Sequence, residues 1–244
     1  MNIVAIIQAR MGSERLPGKM MKKISGKPLL EHIINRVAAS KKIRNIIVAT
    51  SDKIEDRPII NLSKRLSFPY FAGSELDVLS RFIGAGRAVS ADIVIRICGD
   101  NPLLDIEYLD EMIDSHIFKG AEYTYNYSHI PIGTAAEVIN FSVLKSLDTI
   151  AKDRRYREHV TTYVLDHPDD FKVNRTEAPF YLKDKSFRLT VDTAEDLKLI
   201  RRIYREFYPD GKVIKTSHAI AFLENNPFFS NINIHIPQKD WRLK

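Results

Sequence analysis

The first nineteen residues constrain the fold more than any other stretch. Ile3, Val4, Ala5, Ile6 and Ile7 form an unbroken apolar run. A strand with one wet face would alternate, so a continuous run suits a central strand buried on both faces. The run ends in a loop carrying Arg10, Gly12, Ser13, Arg15, Pro17, Gly18 and Lys19. Cations, glycines and a hydroxyl directly after a buried strand make an anion cradle. Glycine lets backbone amides approach an oxyanion, and the cations neutralise it. A nucleoside triphosphate is the expected occupant, and a solvated basic loop is the plainer alternative.

The chain continues as alternating strands and helices. Pro28 opens a predicted helix over Leu29 to Ala39. NIIVAT at 45–50 reads as a strand, with Ser51-Asp52 as a capping pair before a helix from about Asp56 to Leu66. A short strand follows near Tyr70-Phe71, then a helix over Leu76 to Val89 and a strand over Asp92 to Ile97. Gly99-Asp100-Asn101-Pro102 is a sharp turn, and Asp105 caps a helix to about Phe118. This pattern predicts an α/β fold: a Rossmann-like, mainly parallel sheet with helices on both faces. Ligands bind such sheets at the carboxyl ends of strands, where the opening loop and the turn after Ile97 both fall.

The second half is less regular. Strands are expected over 121–127, 136–139, 171–175 and 187–191, and helices over 141–150, 156–166, 196–207 and 217–224, with Thr193 as an N-cap. The tail, 225–244, is expected to wrap over the body or a partner subunit.

At 244 residues and 44% hydrophobic content, one sizeable core is possible. No apolar run reaches the ~18 residues of a membrane span, and the start reads straight into a strand without a basic n-region and cleavage site, so a secretory leader is not expected. A single cysteine, Cys98, excludes an internal disulfide framework and fits a reducing cytoplasm. The charge of +6 is spread over short clusters such as Lys22-Lys23 and Arg154-Arg155. A basic surface with a phosphate site explains it more simply than a nucleic-acid stripe. The common phosphate loops do not fit. The opening loop lacks G-x-G-x-x-G spacing, and Gly12 and Gly18 stand too far apart for the loop that ends in Lys-Ser/Thr, while Met20 follows Lys19.

The string Ala9-Arg10-Met11-Gly12-Ser13 with Arg15-Leu16-Pro17-Gly18-Lys19 resembles the opening loop of the cytidylyltransferases that make CMP-activated sugars. The closest likeness is to the spore-coat polysaccharide (SpsF-like) type, kin of the 3-deoxy-manno-octulosonate and acylneuraminate enzymes. The resemblance extends through Gly26-Lys27-Pro28-Leu29, Val48-Ala49-Thr50-Ser51-Asp52, Gly73-Ser74-Glu75 with Asp77 to Arg81, Gly99-Asp100-Asn101-Pro102, and Val191-Asp192-Thr193 with Glu195-Asp196. It implies transfer of CMP from CTP to a small anionic acceptor, a sugar acid or phosphorylated compound, with release of pyrophosphate. It also implies Mg²⁺ on Asp100 and Asp192, and a homodimer.

Arg10, Arg15 and Lys19 would hold the departing phosphates, and Ala9 to Ser13 would line the nucleotide. Such chemistry asks for alignment and charge stabilisation more than covalent work. Asp100 has a second reading as a turn former, and Asp192 as a helix-terminal carboxylate. Ser74, Asp77 and Arg81 are candidates for base or ribose contact, with a helix start capped by Ser74 as the alternative. Glu137, Arg157 and His159 resemble acceptor-side residues; His159 could equally tie a helix to the sheet. A GTP- or UTP-using transferase, a nucleotide-sugar glycosyltransferase and an inactive scaffold remain alternatives. A subdomain from about Ala121 to Asp184 would cover the acceptor and join the dimer, with Tyr123, Tyr125, Tyr127, Phe180 and Tyr181 as candidate interface or core residues.

Overall fold

The structure is a computed structural model that describes residues 1–126 and 128–238. In chain order the strands are β1 (Ile3–Gln8), β2 (Lys23–Ile24), β3 (Lys27–Pro28), β4 (Asn45–Ser51), β5 (Tyr70–Gly73), β6 (Ile93–Cys98), β7 (Tyr123–Asn126), β8 (Glu137–Asn140) and β9 (Val173–Thr176). The α-helices are α1 (Leu29–Val37), α2 (Arg57–Arg65), α3 (Val78–Ala88), α4 (Ile106–Phe118), α5 (Phe141–Ile150), α6 (Arg154–Glu158), α7 (Thr162–Asp166), α8 (Ala194–Phe207), α9 (Thr216–Asn225) and α10 (Pro227–Ser230).

The seven-stranded sheet has the order β5-β4-β1-β6-β8-β7-β9, and β2 with β3 forms a separate small hairpin. β1 pairs in parallel with β4 and β6, β4 with β5, and β7 with β9. β8 runs antiparallel to both its neighbours. The order steps outward from β1 through β4 to β5, then crosses back over β1 to β6. That reversal opens a crevice at the carboxyl ends of β1 and β6, the place where open sheets of this kind bind ligands.

Burial of β1 on both faces follows from its sequence. Ile3, Ala5 and Ile7 enter one core with α1, α2, α4, α8 and α9. Val4 and Ile6 enter the other with α3 and α5. Residues 121–184 extend the same sheet through β7, β8 and β9, and Tyr123 and Val138 are fully buried within it. Tyr123 is therefore core. Tyr181 is half-buried with its hydroxyl donating to Asp105 (2.9 Å). Phe180 is 90% exposed, and Tyr127 lies outside the described residues.

Four local expectations are corrected. Residues 187–191 form no strand: Arg188 makes an isolated bridge to Ile132, and the Val191 amide donates to the Asp100 carbonyl (2.8 Å). The helix expected over 156–166 breaks into α6 and α7 at Val160, whose φ is +23°. Ser51 ends β4 instead of capping a helix; its amide donates to the Asp56 carboxylate (3.2 Å). Leu76 lies before α3, which Asp77 caps through the Ser80 amide (2.9 Å). The tail packs back on the body through α10 and Asn233, which is buried; residues 239–244 lie outside the described range.

Candidate active site

The crevice is a cavity of about 240 Å³ lined by Arg10, Gly12, Ser13, Arg15, Lys19, Cys98, Asp100 and Asp192, among others. Its floor is the loop after β1. The Met11 carbonyl accepts from the Ser13 (2.8 Å) and Gly18 (3.1 Å) amides, folding the loop on itself. The Met11 amide donates to Asp56 (2.6 Å), which anchors the loop beside β4. Ala9 is buried, and its amide donates to the Ala49 carbonyl (3.0 Å), so it serves the sheet. Across the crevice, a Cβ on Gly99 would lie 2.7 Å from the Gln8 carbonyl oxygen. Glycine alone fits there, and its close approach brings Asp100 to the cradle.

Lys19 joins the two halves. Its ammonium, almost fully buried, donates to Asp100 (2.7 Å) and to Asp192 (2.9 Å). Arg15 adds an ion pair to Asp192 (3.0 Å). Burial works against the Lys19 charge, but the two carboxylates outweigh it and its pKa is raised. For Asp192, burial alone would push the carboxyl up; Lys19, Arg15 and Arg188 outweigh it and hold it below the ordinary carboxylate range.

Asp192 has a scaffold that its sequence neighbourhood did not announce. Arg188 donates to Asp192 (2.7 Å) and to the buried Asp196 (2.9 Å). Asp196 also accepts the amides of Asp192 and Thr193 (both 3.0 Å). Thr193 and Asp196 form a capping box on α8. Asn233 closes the cluster by donating to Asp196 (2.8 Å) and to the Arg188 carbonyl (3.0 Å). The capping box was legible as Thr193 followed by Asp196. Arg188, Asn233 and Asp56 were missed because their partners lie elsewhere in the chain or carry no local pattern.

The remaining candidates divide among neighbouring surfaces. Arg81 is fully buried; Nη1 reaches the Glu75 carbonyl (3.4 Å), while Nε and Nη2 have no partner among the described residues. Burial, with the nearby Arg10 charge, lowers its pKa. Ser74 accepts the Asp77 amide (3.1 Å). Asp77 is gripped by Arg157, whose Nε lies 3.0 Å from both carboxylate oxygens. Arg157 also donates to Asp148 (2.8 Å), so its guanidinium is spent tying α6 to α3 and α5. His159 lines a cavity of about 490 Å³ with Arg10 and Glu75. Glu137 lines a third cavity, of about 280 Å³, that meets the first at Cys98. Glu137 and His159 therefore line different cavities, and Arg157 lines neither.

Asp100 and Asp192 fit a magnesium ion: they are hard oxygen donors that already share one cation, the Lys19 ammonium, beside an open cavity. Among the described residues no group of three or more His, Cys, Asp or Glu is placed to hold a metal. Magnesium needs no such cage, since it completes its shell with water and phosphate oxygens.

A mainly parallel sheet whose switch point joins a cation-rich loop to two carboxylates has the layout of a nucleotidyltransferase. Residues 4–229 match the sequence profile of the cytidylyltransferase family, and the chain belongs to that family. It is 39% identical over 233 residues to the spore coat polysaccharide biosynthesis protein SpsF of Bacillus subtilis, covering 93% of this chain and 95% of that protein. It superposes on a cytidylyltransferase of Leptospira borgpetersenii with TM-score 0.88 and 30% identity, over 98% of this chain and 99% of that one. The fold is shared with a CMP:2-keto-3-deoxy-manno-octonic acid synthetase solved with CTP (TM-score 0.65, 16% identity, 84% of this chain and 99% of the other).

Proposed function

We propose that the protein is a magnesium-dependent cytidylyltransferase that moves CMP from CTP to a sugar acid or a small phosphorylated or phosphonate acceptor, releasing pyrophosphate, in surface polysaccharide or glycoconjugate synthesis. The observation that carries this reading is the bridge from Lys19 to both Asp100 and Asp192 inside the crevice. One cavity thus holds cations suited to phosphates beside a carboxylate pair suited to a metal ion. The name of the Bacillus relative supports the polysaccharide setting, and that of the synthetase supports a sugar acid.

The chemistry asks little covalent work of the chain. An acceptor oxygen attacks the α-phosphorus of CTP, and the bond to the β-phosphate oxygen breaks. Arg10, Arg15 and Lys19 hold the β- and γ-phosphates and take up the charge that develops on the departing pyrophosphate. Arginine suits paired contacts to phosphate oxygens, and lysine acts as a point charge. Magnesium on Asp100 and Asp192 would neutralise phosphate charge when bound. A cytoplasmic homodimer is part of the proposal, with the exposed Phe180 as a contact.

Pyrophosphate release, measured with each of the four NTPs, Mg²⁺ and a panel of sugar acids and small phosphates, tests the reading. CTP-selective release is expected. A preference for GTP or UTP overturns the base assignment, and no release with any pair overturns the activity.

A further inference from the structure

The 280 Å³ cavity beyond Cys98 contains a hydrogen-bond donor that the protein leaves unmet. Arg96 stands opposite Glu137 in the β6–β8 pairing, with its side chain 20% exposed. Nη1 donates to Glu137 (2.8 Å). Among the described residues Nε has no partner and is shut off from solvent, and the guanidinium's contact to Glu137 is made through Nη1, not Nη2. Glu137 is well supplied by contrast, since it also accepts the Tyr123 (2.9 Å) and Thr161 (3.0 Å) hydroxyls. Arg96 is thus fixed by one corner, leaving the Nε–Nη2 edge unused, and a turn of the guanidinium about that corner is what opens Nε to a ligand in the cavity. That edge makes two parallel bonds to a carboxylate or phosphate.

The surroundings sharpen the picture. A buried donor without a partner calls for an explanation, and an absent ligand is one. Arg96 is the one cation among the described residues lining this cavity, which Ile130, Pro131 and Ile132 wall on an apolar side. Asn126 has its amide committed to Tyr108 and Ser128. Burial disfavours the Arg96 charge, but Glu137 outweighs it and keeps the guanidinium protonated.

We propose that the Nε–Nη2 edge of Arg96 grips an oxyanion, a carboxylate or phosphate, of a small molecule seated between Cys98 and the 130–132 wall. That this molecule is the acceptor rests on the transferase reading above; the oxyanion site does not. The site shares Cys98 with the phosphate cradle's cavity, so an acceptor held there would be a neighbour of a donor bound in the cradle.

The test uses the full chain with ¹⁵N-labelled arginine side chains, the Arg96 Nε–H signal being assigned by its loss in Arg96→Lys. Sodium acetate, sodium phosphate, glycerol and sodium chloride are titrated separately at matched ionic strength. A saturable shift of that signal with acetate or phosphate, and none with glycerol or chloride, is expected; the tighter anion tells carboxylate from phosphate. No saturable shift with either anion overturns the proposal, whatever the enzyme assays show. In the pyrophosphate assay, Arg96→Lys keeps a charge for Glu137 but loses the paired edge. It should raise the acceptor KM about tenfold or more and leave the CTP KM within about twofold. Efficient transfer to neutral sugars, or a fall in kcat with the acceptor KM unchanged, counts against the site. Failure to release pyrophosphate with any acceptor overturns the transferase reading, while the anion titration still judges Arg96.

Discussion

Lys19 donates to Asp100 and Asp192 at once, and Arg15 adds a second cation to Asp192. Arg15 is part-exposed, so Arg15→Ala should leave the fold intact while lowering turnover around a hundredfold, the usual cost of one charge stabiliser. Steady-state pyrophosphate release alongside a melting curve checks both halves of that statement. Asp100→Asn and Asp192→Asn should each abolish Mg²⁺-dependent turnover, and activity kept in the double variant would refute the metal role. The pH dependence has a definite sign. The folded-state pKa of Asp192 is lowered, so its contribution to stability is full above the unfolded value of about 3.9 and is lost as pH falls through the folded value. Thermal melting from pH 7 down to pH 3 should therefore show a smaller loss of stability in Asp192→Asn than in the natural chain. The cradle cations were legible in the sequence because they cluster after one strand. Arg96 and Arg188 were not: Arg96 depends on the register with β8, and Arg188 on a loop docked against Asp100.

At the scale of elements, α8 and the tail hold the site together. Asn233→Ala removes two hydrogen bonds and leaves Asp196 and the Arg188 carbonyl short of donors. Stability should drop by about 1–3 kcal/mol, as for a buried polar group left unmet, and calorimetry measures it. Gly133 is a harsher case. Its φ is +95°, and a Cβ there would lie 2.8 Å from the Thr190 amide nitrogen. Gly133→Ala should push the 187–191 segment away from Asp100 and reduce turnover more than it lowers the melting temperature. The capping of α8 could be read from Thr193 and Asp196, because the pattern is local. The break at Val160 could not: the residue spacing suits one helix as well as two, and only the fold places the Thr161 hydroxyl on Glu137.

The whole molecule is a sheet whose strand order sets where chemistry can happen. The apolar runs of β1, β4 and β6 announced a parallel sheet with two covered faces, and the structure has both. The antiparallel β8 was not announced, since a strand's direction depends on connections and leaves no mark on its own residues. Phe180, exposed within the 121–184 segment, carries the dimer proposal. Sedimentation velocity should show a dimer for the natural chain and a monomer for Phe180→Asp; a monomer for both removes the dimer.

The Val191 amide on the Asp100 carbonyl ties residues far apart in the chain, and Asn233 adds a shorter link of 37 residues back to Asp196. Contacts of the first kind are the most expensive in chain entropy to close. During synthesis the cradle emerges from the ribosome first, the turn bearing Asp100 next, and Asp192 and Asn233 near the end. A chain stopped at residue 190 would carry Arg10, Arg15, Lys19 and Asp100 but lack the second carboxylate and its clasp. Unfinished copies are thus built without the means to complete the site.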